Sequence, residues 1–241
     1  MNIDAVGKFY LGAGGIGDFL LTLATFYDTE KFFPSAPNII FLANEPSSIN
    51  ELVKHFNFDK KLVLKNDWKL LNEFYHHKNC IGTGILPKNL DYSNWYRANP
   101  FVDYGVKEFP KFVERFKPKR YFTNQIFVQR VGSSVDGDGK RRIIDRSDQY
   151  LQERYEDYSF VFLENLEDQS YENIFSLIRG SEKVIGVDSF VKTFSAMCGI
   201  ETIVYDNIYT PQYLSNFKDK RDYGHYIFLD HWSKITLIPQ M

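Results

Sequence analysis

Short apolar runs alternate with longer amphipathic stretches along most of the chain. Val6–Leu11 (VGKFYL) reads as a strand, followed by the turn GAGGIGD and a helical pattern from Asp18 to about Phe32. Ile39–Ala43 (IIFLA) predicts a second strand, Ser47–Phe56 a helix opened by a serine cap, Leu62–Leu64 a third strand and Trp68–His77 another helix. Cys80–Gly84 closes the set as a strand. The order βαβαβαβ is that of a parallel sheet covered on both faces.

From Pro87 to about Pro118 the regularity lapses into a Tyr- and Asn-rich stretch punctuated by Pro87, Pro100, Pro110 and Pro118. Periodicity then resumes. Ile126–Val131 reads as a strand, Gly132–Arg142 (GSSVDGDGKRR) as a long polar loop, Asp145–Tyr155 as a helix and Phe160–Leu163 as a strand. Tyr171–Arg179 predicts a helix, Val184–Val187 a strand, Phe190–Cys198 a helix and Thr202–Tyr205 a strand. The second half repeats the first, so the expected fold is α/β: two Rossmann-like parallel-sheet units facing each other across a cleft. The expected boundaries are 1–118, 119–212, and a segment 213–241 packing across the domains, with one strand at Tyr226–Leu229. In such sheets ligands sit outside the carboxyl ends of the strands.

Composition narrows the partners. The 241 residues are 44% hydrophobic and 25% charged, ordinary globular proportions, and the formal charge of −2 supplies no global basic field for nucleic acid or anionic lipid. Any polyanion site must be local. Cys80 and Cys198 are far apart and in no CxxC arrangement, which disfavours a disulfide framework or zinc knuckle and suits a reducing cytoplasm. The start lacks a basic n-region followed by an apolar one, and no stretch approaches the ~18 apolar residues of a membrane span, so a soluble cytoplasmic protein is expected.

The candidate chemistry begins at the glycine turn. Gly12, Gly14, Gly15 and Gly17 follow a strand and open a helix, so backbone amides at the helix N-terminus can face an anion or polar substrate, and the absent side chains allow close approach. Read from Gly12 to Gly17 the turn contains G-x-G-x-x-G, a dinucleotide fingerprint, but the acidic residue expected at the end of the second strand is replaced by Asn44, with Glu45 just beyond. Asp18 stands where the loop meets the helix. A carboxylate there is either a general base towards a hydroxyl held against the loop or an acidic residue stabilising a helix N-terminus.

In the second half, Lys140, Arg141 and Arg142 end the polar loop directly after a strand and match a diphosphate, unless the loop is simply a solvated surface. DGDGK at Asp136–Lys140 is not a calcium loop: Arg141 stands where glycine is required and Ser147 where the glutamate belongs. Asp188 and Ser189, at a strand end, and Thr193, one turn later, offer a carboxylate, hydroxyls and helix amides to a ligand; a helix N-cap is the other reading of Asp188 or Ser189. His76 and His77, adjacent on a helix, point apart, and no metal ligand is assigned.

Two segments carry a resemblance. YLGAGGIGDFLLTLATF (residues 10–26) resembles the start of the heptosyltransferase-like glycosyltransferases of family 9, in which G-x-G-D-x-[LI]-[LM]-T opens the N-terminal unit; Gly15, Gly17, Asp18, Leu20, Leu21 and Thr22 match. VIGVDSFVKTFSAMCGIETIVYD (residues 184–206) resembles the family's second signature, D-[ST]-G-x-x-H-x-A-A-x-x-G-x-P, through Asp188, Ser189, Ala196 and Gly199, and departs from it at Phe190, Thr193 and Glu201. Lys140 falls where the family carries a phosphate-binding lysine, with Arg142 replacing the tryptophan that follows it. The resemblance implies a GT-B fold, Asp18 as catalytic base, and a nucleotide-diphosphate sugar held at Asp188, Ser189 and Lys140; Gly14, Gly15, Gly17, Arg141 and Thr193 are candidate substrate and phosphate contacts by their own chemistry and position. Glu164 and Glu167, just past the Phe160–Leu163 strand, are candidate nucleoside contacts. No cofactor is expected beyond this donor substrate.

The expected reaction is inverting glycosyl transfer to an acceptor hydroxyl. The low use of Ala and heavy use of Lys, Asn, Ile, Phe and Tyr look like translation of an AT-rich genome, as in a bacteriophage or low-GC bacterium. The acceptor is then either a glycan or a hydroxymethylated DNA base, with Lys111–Arg120 (KFVERFKPKR) and Lys140–Arg142 as candidate phosphate contacts. Two other readings remain: a nucleotide-binding protein without transferase activity, and an NAD-dependent oxidoreductase built on the glycine turn. Aromatics make 17% of the chain; those on strands are core, whereas Trp95 and Tyr96, with Tyr75, Tyr92, Phe101 and Tyr104 around them, are candidates for stacking on an acceptor or for packing between domains.

Overall fold

The computed structural model describes residues 3–29, 38–55, 61–83, 111–135, 141–205, 235–238 and 240. These form two compact units, the first extending through Phe112 and the second beginning at Val113. Trp95, Tyr96 and the other aromatics of residues 92–104, Lys140, and the strand expected at Tyr226–Leu229 lie outside the described residues.

Unit 1 contains β1 (Phe9–Gly14), α1 (Ile16–Thr29), β2 (Asn38–Ala43), α2 (Pro46–Val53), β3 (Lys61–Lys65), α3 (Trp68–His76) and β4 (Cys80–Thr83), preceded by a 3₁₀ turn at Ile3–Val6. The sheet order is β3-β2-β1-β4 and every pair is parallel. Alternation along β1 divides the core. Phe9, Leu11 and Ala13 pack with Ile40, Leu42 and the α3 residues Leu71, Phe74 and Tyr75 on one face. On the other, Phe19 of α1 meets Phe41 edge-on, with ring centroids 5.0 Å apart.

The first strand begins and ends later than its apolar run suggests. Residues 3–6 wind into the 3₁₀ turn, and β1 continues through Gly12, paired with Phe41, to Gly14, paired with Ala43. Gly12 is required there by crowding: a Cβ would come within 2.6 Å of the Phe41 ring and 2.7 Å of Thr22 Oγ1. Helix α2 likewise starts one residue early. Pro46 occupies the first turn, where a missing N–H costs nothing, and Glu45 is the cap residue in place of Ser47.

Unit 2 contains β5 (Gln125–Val128), β6 (Val131–Val135), β7 (Arg141–Ile143), α4 (Asp148–Arg154), β8 (Ser159–Phe162), α5 (Tyr171–Gly180), β9 (Lys183–Gly186), α6 (Phe190–Met197), β10 (Glu201–Tyr205) and β11 (Ile235–Ile238). The main sheet is parallel throughout, in the order β11-β10-β9-β5-β8. Its two faces bury different chemistry. Ile126, Val128, Ile185, Val187 and Ile203 pack with Leu151 on one face; on the other, α5 and α6 bring Phe175 and Phe194 into a stack 3.9 Å between centroids, with Phe116 edge-on to both.

One expectation for unit 2 is corrected. The segment read as a polar loop has arms that pair as an antiparallel hairpin, β6 with β7. Its Gly-, Ser- and Asp-rich composition hides the pairing because neither arm alternates apolar with polar residues. At the C-terminal end the described strand is β11, which extends the sheet beside β10. Serine caps open α4, α5 and α6: Ser147, Ser170 and Ser189 accept from Tyr150, Asn173 and Val191 N–H at 3.1, 3.3 and 3.2 Å. Among the described residues no helix is long and apolar enough to cross a membrane.

Candidate functional site

At the carboxyl end of β1 the chain turns into α1 within one residue. Gly14 adopts φ +125°, a conformation side-chain-bearing residues rarely reach, and a Cβ there would collide with the Asp18 carboxylate. Gly15 is the cap residue: its carbonyl accepts the first helical bond, from Phe19 N–H at 3.0 Å. Its own N–H donates to Asp18 Oδ2 at 2.9 Å. Asp18, third in α1, therefore reaches back to the cap in the reciprocal bond of a capping box. Gly17 sits between them in the first turn, and Thr22 Oγ1, buried, donates to the Asp18 carbonyl at 2.8 Å.

Half of the Asp18 carboxylate is thus fixed. Oδ1 has no hydrogen-bond partner among the described residues, and the side chain is half-buried. The arrangement can hold a carboxylate in one orientation while leaving an oxygen to accept a proton or a hydroxyl.

The dinucleotide register fits poorly. Counting from Gly12 places the first glycine of G-x-G-x-x-G within β1 instead of at the turn. Glu45 Oε1, beyond the end of β2, accepts from Ser47 Oγ at 2.7 Å. The pattern Gly15-x-Gly17-Asp18 instead begins at the cap itself.

In unit 2 the candidate residues converge on the carboxyl ends of β5 and β9. Ser189 caps α6, and its hydroxyl donates to Gln129 Oε1, while Gln129 Nε2, buried beyond β5, donates to the Val131 carbonyl at 3.1 Å. The Asp188 carboxylate is held between Arg142 of β7 and Lys192 of α6, one cation on each oxygen. Arg142 also donates to the Asp188 carbonyl at 3.2 Å. Exposures of 1% for the Lys192 side chain and 15% for Asp188 make this a largely desolvated pair. Thr193 is buried and turns its hydroxyl back to the Ser189 carbonyl at 3.4 Å. Arg141 opens β7.

Of the candidate nucleoside contacts, Glu164 Oε1 accepts from two consecutive amides, Arg130 and Val131 N–H, at 2.8 and 2.9 Å. That fixes the junction between β5 and the hairpin. Arg130 is itself tied down by Asp148 and by the Arg146 carbonyl at 2.6 Å. Glu167 is exposed. The basic segment 111–120 lies elsewhere: Gly180, at the end of α5, packs against the Arg120 carbonyl and Pro118, and Phe122 N–H donates to the Gly180 carbonyl at 2.8 Å. It therefore borders the amino ends of the strands, across the sheet from Asp188.

Lys192 was missed as a site residue. Its signal was present: in α6 (FVKTFSAM) it is the sole ionisable side chain of an otherwise apolar and small-residue helix, four residues after Asp188, the spacing of a helical ion pair. No family model matches the chain, and no curated protein matches it.

Proposed function

We propose that the protein is an inverting glycosyltransferase that moves a sugar from a nucleotide-diphosphate sugar to an acceptor hydroxyl. The observation that carries this reading is the Asp18 carboxylate, with Oδ2 anchored on the Gly15 amide and Oδ1 unoccupied at the strand-to-helix turn. Asp18 takes the proton of the acceptor hydroxyl as its oxygen bonds to the anomeric carbon. The bond from that carbon to the phosphate oxygen breaks, and the nucleoside diphosphate leaves with the electron pair.

Charge on the leaving group needs cations or oriented amides. In this reading unit 2 supplies them at the start of α6, through Ser189 and the cations Arg142 and Lys192 that Asp188 orients, with Arg141 of β7 and its sequence neighbour Lys140. Glu164 and Glu167 flank the nucleoside. The register Gly15-x-Gly17-Asp18 at the start of α1 and the Asp188–Ser189 pair after β9 support it together, because each keeps part of a signature the sequence resembles, the second departing from it at Phe190, Thr193 and Glu201.

Asp18→Asn tests the reading cleanly, since the asparagine carbonyl can still accept the Gly15 N–H. The expected outcome is a fall in transfer of roughly 10²–10⁴-fold with donor affinity unchanged. A thermal-shift screen across nucleotide-diphosphate sugars, with NAD as a control, identifies the donor first. Stabilisation by NAD alone, or turnover of Asp18→Asn within a few-fold of wild type, would overturn the assignment.

A further inference from the structure

The carboxyl-end rim of unit 1 carries a polar cluster that the Asp18 chemistry does not use. Asn44 follows β2 and Asn66 follows β3, and the parallel pairing of these strands brings the two side by side. Asn66 N–H donates to the Ala43 carbonyl at 2.8 Å, and its carboxamide Nδ2 donates to Asn44 Oδ1 at 2.9 Å. Lys65 Nζ donates to the Asn44 carbonyl at 2.7 Å. The cluster is continuous with the glycine turn, because Asn44 N–H donates to the carbonyl of Gly14, the residue that packs against the Asp18 carboxylate, at 2.9 Å.

Each carboxamide uses one half of its capacity on the other. Asn44 Nδ2, a donor, and Asn66 Oδ1, an acceptor, have no partner among the described residues, and both side chains are exposed. A donor beside an acceptor, held in register by backbone bonds, matches a pair of sugar hydroxyls, each of which donates and accepts. The local charge matches a neutral ligand better than a polyanion. Asp18, Glu45 and Asp67 set three carboxylates around these strand ends against the ammonium groups of Lys65 and Lys69, and Arg115, Lys117, Lys119 and Arg120 of the basic segment belong to unit 2. Phosphates of a DNA backbone need the opposite balance.

We infer that the Asn44–Asn66 pair is a hydroxyl-binding shelf for a neutral saccharide, and that the acceptor presented to Asp18 is a glycan and not a DNA base. Only the assignment of this saccharide as acceptor rests on the transferase reading.

Nitrogen-15 NMR titration of the full chain tests it with three probes: methyl β-D-glucoside, N-acetylglucosamine, and a short DNA duplex containing 5-hydroxymethylcytosine. At least one saccharide should shift the Asn44 and Asn66 side-chain amide signals saturably, and the duplex should not. The Asn44→Ala/Asn66→Ala variant should weaken the same saccharide at least tenfold on the Gly14 and Gly15 amide signals, the effect of losing two hydrogen bonds. Asn44→Asp, which keeps the shape and loses the donor, should weaken it less, and unchanged melting temperatures would certify both folds. Silence of both saccharides, unchanged affinity in the double variant, or shifts caused by the duplex would overturn the inference. A nucleotide sugar that leaves the Gln129 and Ser189 signals unmoved would end the transferase reading alone, because saccharide binding is read in unit 1.

Discussion

In unit 1 the polar groups beyond the strand ends retain hydrogen-bonding capacity: Asp18 Oδ1, Asn44 Nδ2 and Asn66 Oδ1 have no partner among the described residues. In unit 2 the corresponding groups are bonded to one another, Ser189 to Gln129, Asp188 to Arg142 and Lys192, and Glu164 to two backbone amides. Both sheets are parallel, but their strand orders differ, β3-β2-β1-β4 against β11-β10-β9-β5-β8, and the contrast is in the groups that lie past their carboxyl ends. A ligand arriving at unit 1 adds bonds to groups already solvated, whereas one arriving at unit 2 must exchange bonds the fold has made, so strand-end residues there carry stability as well as chemistry.

The contrast breaks most visibly at Asp188. Asp188→Ala would leave Lys192 buried without this carboxylate, and unit 2 should lose about 3–5 kcal/mol in urea unfolding. Asp18→Asn in unit 1 should cost less than about 1 kcal/mol by the same measurement, because the cap bond survives. Equal losses at the two aspartates would erase the distinction.

Gly14→Ala asks whether unit 1 has any stability at stake in its site. Both the positive φ and the collision with the Asp18 carboxylate oppose the substitution, and a loss of about 1–3 kcal/mol is expected, read as a lowered melting temperature. A wild-type melt would mean that the turn can relax without Asp18 holding its place. At the helix caps the units should behave alike: Ser147→Ala in unit 2 and Asp67→Ala in unit 1, which caps α3 through Lys69 N–H at 2.7 Å, should each cost about 1 kcal/mol in chemical denaturation.

The smallest difference is in acid. Glu182 of unit 2 is held below the usual carboxylate range, first by the Asn124 backbone N–H and then by the Tyr158 hydroxyl, and Asp168 is held low by the Ser170 backbone N–H. In unit 1 Asp4 is lowered chiefly by Lys78. A carboxylate depressed in the folded state stabilises above its unfolded pKa, about 4.3 for Glu, and that contribution disappears as pH falls through the lower folded value. Glu182→Gln should therefore flatten the loss of stability between roughly pH 4.5 and pH 3, read by melting at a series of pH values; an unchanged acid limb would show that these bonds add nothing.

Much of the architecture was legible because parallel strands buried on both faces are near-continuous apolar runs: IIFLA, KVIG and ETIVY announce themselves. Glycine hid the end of β1, since residues 12–14 look like a turn and only their contacts with Phe41 and Thr22 explain why they are strand. The hairpin was hidden by polarity. At the site, Asp18 was legible from its place after the glycines, but the bond that orients it depends on the φ of Gly14. The pairing of Asp188 with Lys192 could be read from spacing alone, whereas its second partner, Arg142, comes from 46 positions away across the sheet and leaves no local trace. Asn44 registered only as the residue standing where a dinucleotide-binding acid was missing; Asn66, 22 positions along the chain, makes it half of a pair.

The edge strand β11 has a consequence for the order in which the protein can be made. Unit 1 draws its sheet from one contiguous stretch, residues 9–83, and can close as soon as that stretch has left the ribosome. Unit 2 cannot. Its strand β10 is sealed by residues 235–238, and Gln240 then ties the chain down, accepting from Asp145 N–H at 2.6 Å and donating to the Ile143 carbonyl at 2.8 Å. Until residue 240 emerges, one edge of the sheet and one arm of the hairpin wait with their backbone groups unmatched, so premature termination leaves unit 2 with an open, aggregation-prone edge.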